Sequence, residues 1–115
     1  MKPDEAKQKL HEMLGPQLQI NPEFDKHFQD LKENMQTELI QWCQDCKDKK
    51  SKGSVPTNKK YKDIFVFFRK IGDNVRAVLT KKQNAEFMEL HLQNHKAYDE
   101  IRLKLGYKKS SYYSS

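Results

Sequence analysis

The chain lacks the features that mark several large classes of protein. It has no apolar run long enough to cross a bilayer, and residues 1–5 do not resemble a secretory signal, so we expect a cytoplasmic protein without a membrane partner. It also has no internal repeat, no phosphate-binding glycine loop, no GxSxG motif and no carboxylate-rich metal site. These absences exclude most familiar enzyme signatures, and we expect neither a metal nor a small-molecule cofactor.

Cysteine is scarce, and the two that occur, Cys43 and Cys46, form an isolated CxxC. A redox motif of this kind normally follows a strand in a βαβ unit. A tetrahedral zinc site would need two more ligands, which only the distant His11 or His27 could supply. We therefore favour two small residues on a helix in a reducing compartment.

Charge is distributed unevenly along a chain that is long enough for one domain. Residues 1–46 hold five lysines against nine acidic residues, a net charge of −4, so the other 69 residues carry +10. Within that part, Lys47–Lys62 has seven lysines and a single acid, Asp48. Such a segment suits a polyanionic partner, although a solvated loop that keeps the protein soluble is an equal alternative.

Apolar periodicity predicts helices in the first half. Residues 4–14 form an amphipathic stripe that Gly15 and Pro16 end, and residues 17–20 alternate as a short strand. Asn21 followed by Pro22 is typical of a helix start. From residue 24 to residue 46, apolar side chains recur at spacings of three and four, which predicts one amphipathic helix or a close pair.

The second half changes to the alternating pattern of strands, after a polar loop over residues 47–60. Three alternating segments joined by turns predict an antiparallel meander. They are residues 64–69, 75–80 and 87–92. A helical turn or two over 96–105, closed by Gly106, and a loose tail follow. The predicted fold class is α+β, with N-terminal helices packed on a small antiparallel sheet.

Strand alternation assigns the side chains to two faces of this sheet. The face packed on the helices would hold Ile64, Val66, Phe68, Val75, Ala77, Leu79, Met88, Leu90 and Leu92. The opposite face would hold Phe65, Phe67, Arg69, Arg76, Val78, Phe87, Glu89 and His91, with His95 and Tyr98 just beyond the last strand. Aromatic, arginine and histidine side chains on one face can stack bases and hold phosphates. Any one of them alone would more often be an ordinary core or surface residue.

Several short motifs, in this order of elements, resemble the RelE/ParE superfamily of toxin–antitoxin toxins. They are Pro22-Glu23-Phe24 at the start of the helices, FRKIGDNVR at 68–76, and NHKAYDEI at 94–101, the last being most similar to the HigB branch. The resemblance runs from about Gln17 to Leu105. It implies a RelE-like β-α-α-β-β-β domain over 17–106. The residues themselves predict an extra N-terminal helix in 1–16 and a flexible tail over 107–115.

The resemblance also implies an activity, namely ribosome-dependent cleavage of messenger RNA that inhibits translation. In this reaction the 2′-hydroxyl of the RNA attacks the adjacent phosphate without a metal. The catalytic roles fall to Arg76, which holds the phosphate, His95, which transfers a proton, and Tyr98, which stacks a base or supports the transfer. The implied partners are a cognate antitoxin protein, the ribosome and messenger RNA.

Eight further side chains are expected to contact RNA or its phosphates. They are Arg69, Lys70, Lys81, Lys82, Lys96, His91, Lys59 and Lys60. Two alternatives stay open. A ParE-like gyrase inhibitor would need the fold but neither His95 nor Tyr98, and a small basic nucleic-acid-binding module would use the aromatics of the sheet face for stacking.

Overall fold

The computed structural model describes residues 1–108, which form four α-helices, a short 3-10 helix and a four-stranded sheet. The elements are α1 (Pro3–Leu14), β1 (Gln19–Ile20), α2 (Phe24–Asp30), α3 (Glu33–Lys47), the 3-10 helix (Lys59–Tyr61), β2 (Ile64–Ile71), β3 (Val75–Lys82), β4 (Phe87–Asn94) and α4 (His95–Lys104). The predicted α+β class, with helices preceding the sheet, is confirmed. From β1 to β4 the elements follow the expected β-α-α-β-β-β order.

The sheet has the strand order β1-β4-β3-β2. Strands β2, β3 and β4 form the predicted antiparallel meander. Strand β1 pairs in parallel with β4, placing Gln19 opposite Glu89 and Ile20 opposite Leu90. The sheet is therefore mixed, and the expectation of a purely antiparallel sheet is wrong at this edge.

Asn21 extends the pairing of β1 with β4 instead of capping a helix as its sequence context predicts. Helix α2 begins only at Phe24, without a side-chain cap. The buried Asn21 amide donates from Nδ2 to the carbonyl of Leu92 at 3.0 Å, and its Oδ1 accepts the Leu92 N–H at 2.9 Å. The side chain thus supplies both hydrogen bonds that a further strand residue would make.

The N-terminal part folds as three helices on one core. Leu31 and Lys32 adopt extended backbone conformations, so the continuous apolar stripe forms a close pair of helices, one of the two predicted arrangements. Helix α1 contributes Ala6, Leu10 and Leu14 to the same core, and Lys7 pairs with Asp25 of α2 at 2.9 Å. Residues 1–16 therefore share a core with the rest of the domain.

The main core lies between helices α1–α3 and one face of the sheet. The side chains of β2 that face this core are not the ones that the sequence predicts. Phe65, Phe67 and Ile71 face this core, whereas Val66 and Phe68 pack in a second cluster on the other face. The prediction assumed that one face of the sheet was open to solvent. Because β2 is apolar on both faces, its alternation does not tell which face meets α1–α3.

A β-bulge at the start of β4 changes which side chains point to each face of the sheet. Lys81 lies opposite Phe87, and Thr80 lies opposite Glu89, so Met88 is the extra residue. Phe87 consequently belongs to the main core, while Met88 lines a cavity on the other face. Both residues had been predicted on the opposite faces, because a regular strand has no such extra residue.

Helix α4 covers the second face of the sheet. It starts directly after β4, where Asn94 Oδ1 accepts the Ala97 N–H at 2.8 Å, and at its other end the Leu105 carbonyl accepts from the Asn58 N–H at 3.1 Å. Tyr107 continues the cluster, with its hydroxyl 2.7 Å from Ser54 Oγ. The predicted loose tail thus begins with a packed residue, and its part from 109 to 115 lies outside the described residues. No helix within residues 1–108 has the length and apolarity needed to span a bilayer.

Candidate functional site

The candidate site lies on the face of the sheet that α4 covers, which we call the α4 face. Arg76 and His91 lie on it in the strands, and α4 adds His95 and Tyr98. Arg69 does not join them. It lies opposite Ala77 on the main-core face, where its Nη2 is 3.2 Å from Glu38 Oε1 of α3. The expectation that Arg69 and Arg76 share a face is therefore wrong. The reason is that β2 turns the other set of its side chains toward the main core.

Arg76 is buried, with a relative exposure of 3%. Its Nη1 donates to the carbonyls of Asp73 at 3.1 Å and Val75 at 3.2 Å, and its Nε has no hydrogen-bond partner within residues 1–108. The sequence predicts an arginine on the face of the sheet opposite the helices, where it would hold a phosphate. The arginine instead holds the turn between β2 and β3, because α4 covers the face on which it lies.

Tyr98 is also fully buried. Its ring packs edge-on against Phe68 with the ring centres 5.7 Å apart, and its hydroxyl accepts from Arg102 Nη1 at 3.4 Å. Burial raises the pKa of Tyr98 above the usual value for tyrosine, in spite of the opposing effect of Arg102. In this conformation the ring supports α4 and is not accessible to a base.

Arg102, which the sequence did not single out, sits among three aromatic rings. Its guanidinium carbon is 4.8 Å from the Phe68 ring centre, 5.7 Å from Tyr98 and 5.5 Å from Tyr107. Its Nε also donates to the carbonyl of Lys108 at 2.8 Å. These contacts fix α4 and the following residues against β2. Only the proximity of aromatic residues in space, which the sequence does not give, could have indicated this role.

His95 and Asp99 form a pair on the first turns of α4. His95 Nε2 is 3.0 Å from Asp99 Oδ2, and the histidine side chain keeps 34% of its surface exposed against 15% for the aspartate. The two residues line an open depression together with Lys96, Glu100 and Leu103. An accessible imidazole held by a more buried carboxylate is an arrangement suited to proton transfer.

His91 lies farther along β4, in a separate cavity of about 180 Å³ beneath the C-terminal end of α4. Its Nε2 is 3.7 Å from Glu89 Oε1, and its Nδ1 is buried without a hydrogen-bond partner within residues 1–108. His91 lowers the pKa of Glu89 below its usual value, although burial acts in the other direction. Tyr61 and Lys104 line the same cavity, and neither was predicted as a site residue.

The predicted lysine ligands are spread over several surfaces. Lys59 and Lys60 are exposed on the 3-10 helix, with Lys60 Nζ 5.7 Å from the Tyr61 ring centre. Lys70 lies near the β2–β3 turn, while Lys81 and Lys82 end β3. Of these lysines and Lys96, only Lys96 lines the depression that contains His95. The structure therefore brings together part of the predicted set.

The two cysteines lie on α3 with their thiols in the main core, as expected for small helical residues. Burial raises the pKa of Cys46 to about 12 and also raises the pKa of Cys43, so both thiols are protonated near neutral pH. Within residues 1–108, no three or more His, Cys, Asp or Glu side chains are grouped so that they could hold a metal ion.

No family model, curated protein or solved structure matches this chain. The His95–Asp99 pair is the most accessible reactive feature of the α4 face, since Arg76 and Tyr98 are buried below α4.

Proposed function

We propose that the chain is a RelE/ParE-like toxin that cleaves messenger RNA on the ribosome and so inhibits translation. The observation that carries this proposal is the His95–Asp99 pair, 3.0 Å apart and partly open to solvent. Cleavage of a ribose phosphodiester needs a group that can accept a proton near neutral pH. Histidine is the side chain best suited to this task.

In the proposed reaction, His95 accepts the proton of the 2′-hydroxyl while the 2′-oxygen attacks the adjacent phosphorus. The new O2′–P bond replaces the P–O5′ bond, giving a 2′,3′-cyclic phosphate and a 5′-oxygen that takes a proton from solvent. Asp99 orients the imidazole and stabilises the imidazolium that forms. The histidine then releases its proton to solvent, which restores the starting state.

Positive charge next to His95 would stabilise the phosphate as the reaction proceeds. Lys96 follows His95 and is exposed, and the first turn of α4 directs backbone N–H groups toward the same end of the helix. A well-placed donor of this kind contributes about 3 kcal/mol to transition-state stabilisation. Arg76 and Tyr98 act in this account by positioning the β2–β3 turn and α4, and they do not contact the phosphate directly.

The proposal includes the partners that the resemblance implies. These are the ribosome with its messenger RNA and a cognate antitoxin protein, and the site of action is the cytoplasm, where ribosomes occur. The basic second half of the chain, with a net charge of +10 over 69 residues, fits an RNA-rich partner.

A second candidate function is nucleic-acid binding without catalysis. The seven lysines within residues 47–62 favour it, because a basic segment binds phosphates whether or not a histidine transfers protons. This candidate predicts RNA binding that does not change when His95 is replaced, and it predicts no cleavage.

Induced expression of the full chain in growing bacteria tests the proposal, with His95→Gln and His27→Gln as matched variants. We expect the parent and His27→Gln, which changes a histidine on α2, to stop growth with rapid loss of messenger RNA. His95→Gln should be tolerated at equal protein level. A DNA-damage response without loss of messenger RNA would indicate a gyrase inhibitor, and normal growth with the parent would favour the binding module.

A further inference from the structure

A second pocket lies on the opposite side of the sheet from His95, where α3 ends. We call it the α3-end pocket. Its volume is about 390 Å³, and its lining includes Lys47, Lys49, Gly53, Phe65, Phe67 and Lys81. This volume is within the range typical of sites for small organic molecules.

The lining of the α3-end pocket is cationic. Three lysines line it and no acidic side chain does, while the Cys46 thiol, whose pKa is raised to about 12 by burial, is neutral there. The C-terminus of α3 contributes a partial negative charge of about half a unit. This offsets only a fraction of the three positive charges, so the pocket favours an anion.

Lys49 has a backbone conformation that normally favours glycine. Its φ is +62°, in the left-handed region, just after the end of α3. The Lys49 N–H donates to the carbonyl of Cys46 at 3.3 Å, and the Lys50 N–H donates to that of Asp45 at 2.8 Å. Glycine would fit this helix end with less strain. Lys49 lines the pocket, where a lysine, unlike a glycine, adds a positive charge.

An aromatic wall completes the α3-end pocket. Phe67 is almost fully buried, and Gly53 passes so close to it that an added Cβ would lie 2.9 Å from a ring atom. Phe65 is the more exposed of the two rings. A cationic pocket lined by a half-buried aromatic ring is suited to a ligand that carries both a flat ring and a negative charge.

We propose that the α3-end pocket binds one nucleotide unit, with its base against Phe65 and its phosphate near Lys49 and Lys81. The unit belongs either to single-stranded RNA or to a free nucleotide, since both present the same chemistry. This binding goes beyond the proposed cleavage and does not depend on it, because the pocket and His95 lie on opposite faces of the sheet.

The test is fluorescence anisotropy with the full chain and labelled hexa-adenylate, repeated across a range of salt concentrations. We expect Phe65→Leu to weaken binding about tenfold, as for loss of one base stack. Lys49→Gln should reduce the slope of log affinity against log salt by about 0.7. Lys26→Gln, which removes an exposed charge on α2, should leave the slope unchanged. Thermal melts show which variants remain folded, and only those are compared. Lys81→Gln provides a second test of the phosphate contact without a change to the core.

Competition experiments separate the two sources of the ligand. Displacement of the label by adenosine monophosphate would support a free nucleotide as occupant, whereas displacement by unlabelled hexa-adenylate alone would support RNA. Equal displacement by inorganic hexaphosphate would overturn the proposal, since the base would then contribute nothing. Parent-like binding by both Lys49→Gln and Lys81→Gln would overturn it as well.

Discussion

The guanidinium of Arg102 lies 4.8 Å from the centre of the Phe68 ring, and this contact joins α4 to β2. The ring centres of Tyr98 and Tyr107 lie 5.7 Å and 5.5 Å from the same group. Since Arg76 and Tyr98 are buried on the face that α4 covers, the position of α4 decides which side chains of the α4 face solvent can reach.

Replacing Arg102 with methionine tests this attachment. The variant keeps an apolar side chain but loses the charge that interacts with the rings and the hydrogen bond to the Lys108 carbonyl. We expect a loss of about 1–2 kcal/mol in the free energy of unfolding, measured by urea denaturation. Lys96→Met, on an exposed position of the same helix, should change it by less than about 0.5 kcal/mol. Equal stabilities of the two variants would show that the aromatic contacts do not hold α4.

Arg76→Met should destabilise the protein by about 1–3 kcal/mol, because it removes the hydrogen bonds that the buried Arg76 donates to the carbonyls of Asp73 and Val75. The measurement is again urea denaturation. Lys70→Met is the matched control, since Lys70 pairs with Arg76 across β2 and β3 but is exposed. If Arg76→Met were as stable as the control, the arginine would have no structural role, and its predicted phosphate contact would regain support.

Because Tyr98 is buried, we expect the free energy of unfolding to fall at alkaline pH. Burial raises its pKa in the folded state, so the folded protein retains the phenol proton more strongly than the unfolded chain does. This contribution is complete below the unfolded pKa of about 10 and is lost as pH rises through the folded value. Absorbance at 295 nm should show a late-titrating phenol that Tyr98→Phe removes. If the phenol lost in this variant titrated at the usual value for tyrosine, the burial of Tyr98 would be contradicted.

The sequence was a good guide to where the helices and strands lie. The stripe from residue 24 to residue 46 and the three alternating segments correspond to α2, α3 and the meander. It was a poor guide for β2, where apolar residues occupy both faces, and for Phe87 and Met88, which the bulge displaces. Periodicity identifies a strand, but it does not identify the partner of each face when both are covered.

The candidate site could be predicted from the sequence only where it depends on residues close together in the chain. The sequence places His95 and Asp99 four residues apart, which brings them together once α4 is a helix. Arg76 and Tyr98 are buried because α4 packs over the sheet. The position of α4 depends on the contact between Arg102 and Phe68, which are far apart in the sequence. A helix of ten residues was expected to be only a turn or two, so this cover was not anticipated.

The most direct test of the proposed function is single-turnover cleavage of messenger RNA on programmed ribosomes by the parent and by His95→Gln. Glutamine keeps hydrogen-bonding capacity but cannot accept a proton, so we expect cleavage to fall about 100-fold or more. Ribosome binding should stay nearly unchanged, and His91→Gln should have a smaller effect on cleavage. A parent-like cleavage rate in the His95 variant would contradict the proton-transfer role, and the absence of cleavage by the parent protein would contradict the nuclease itself.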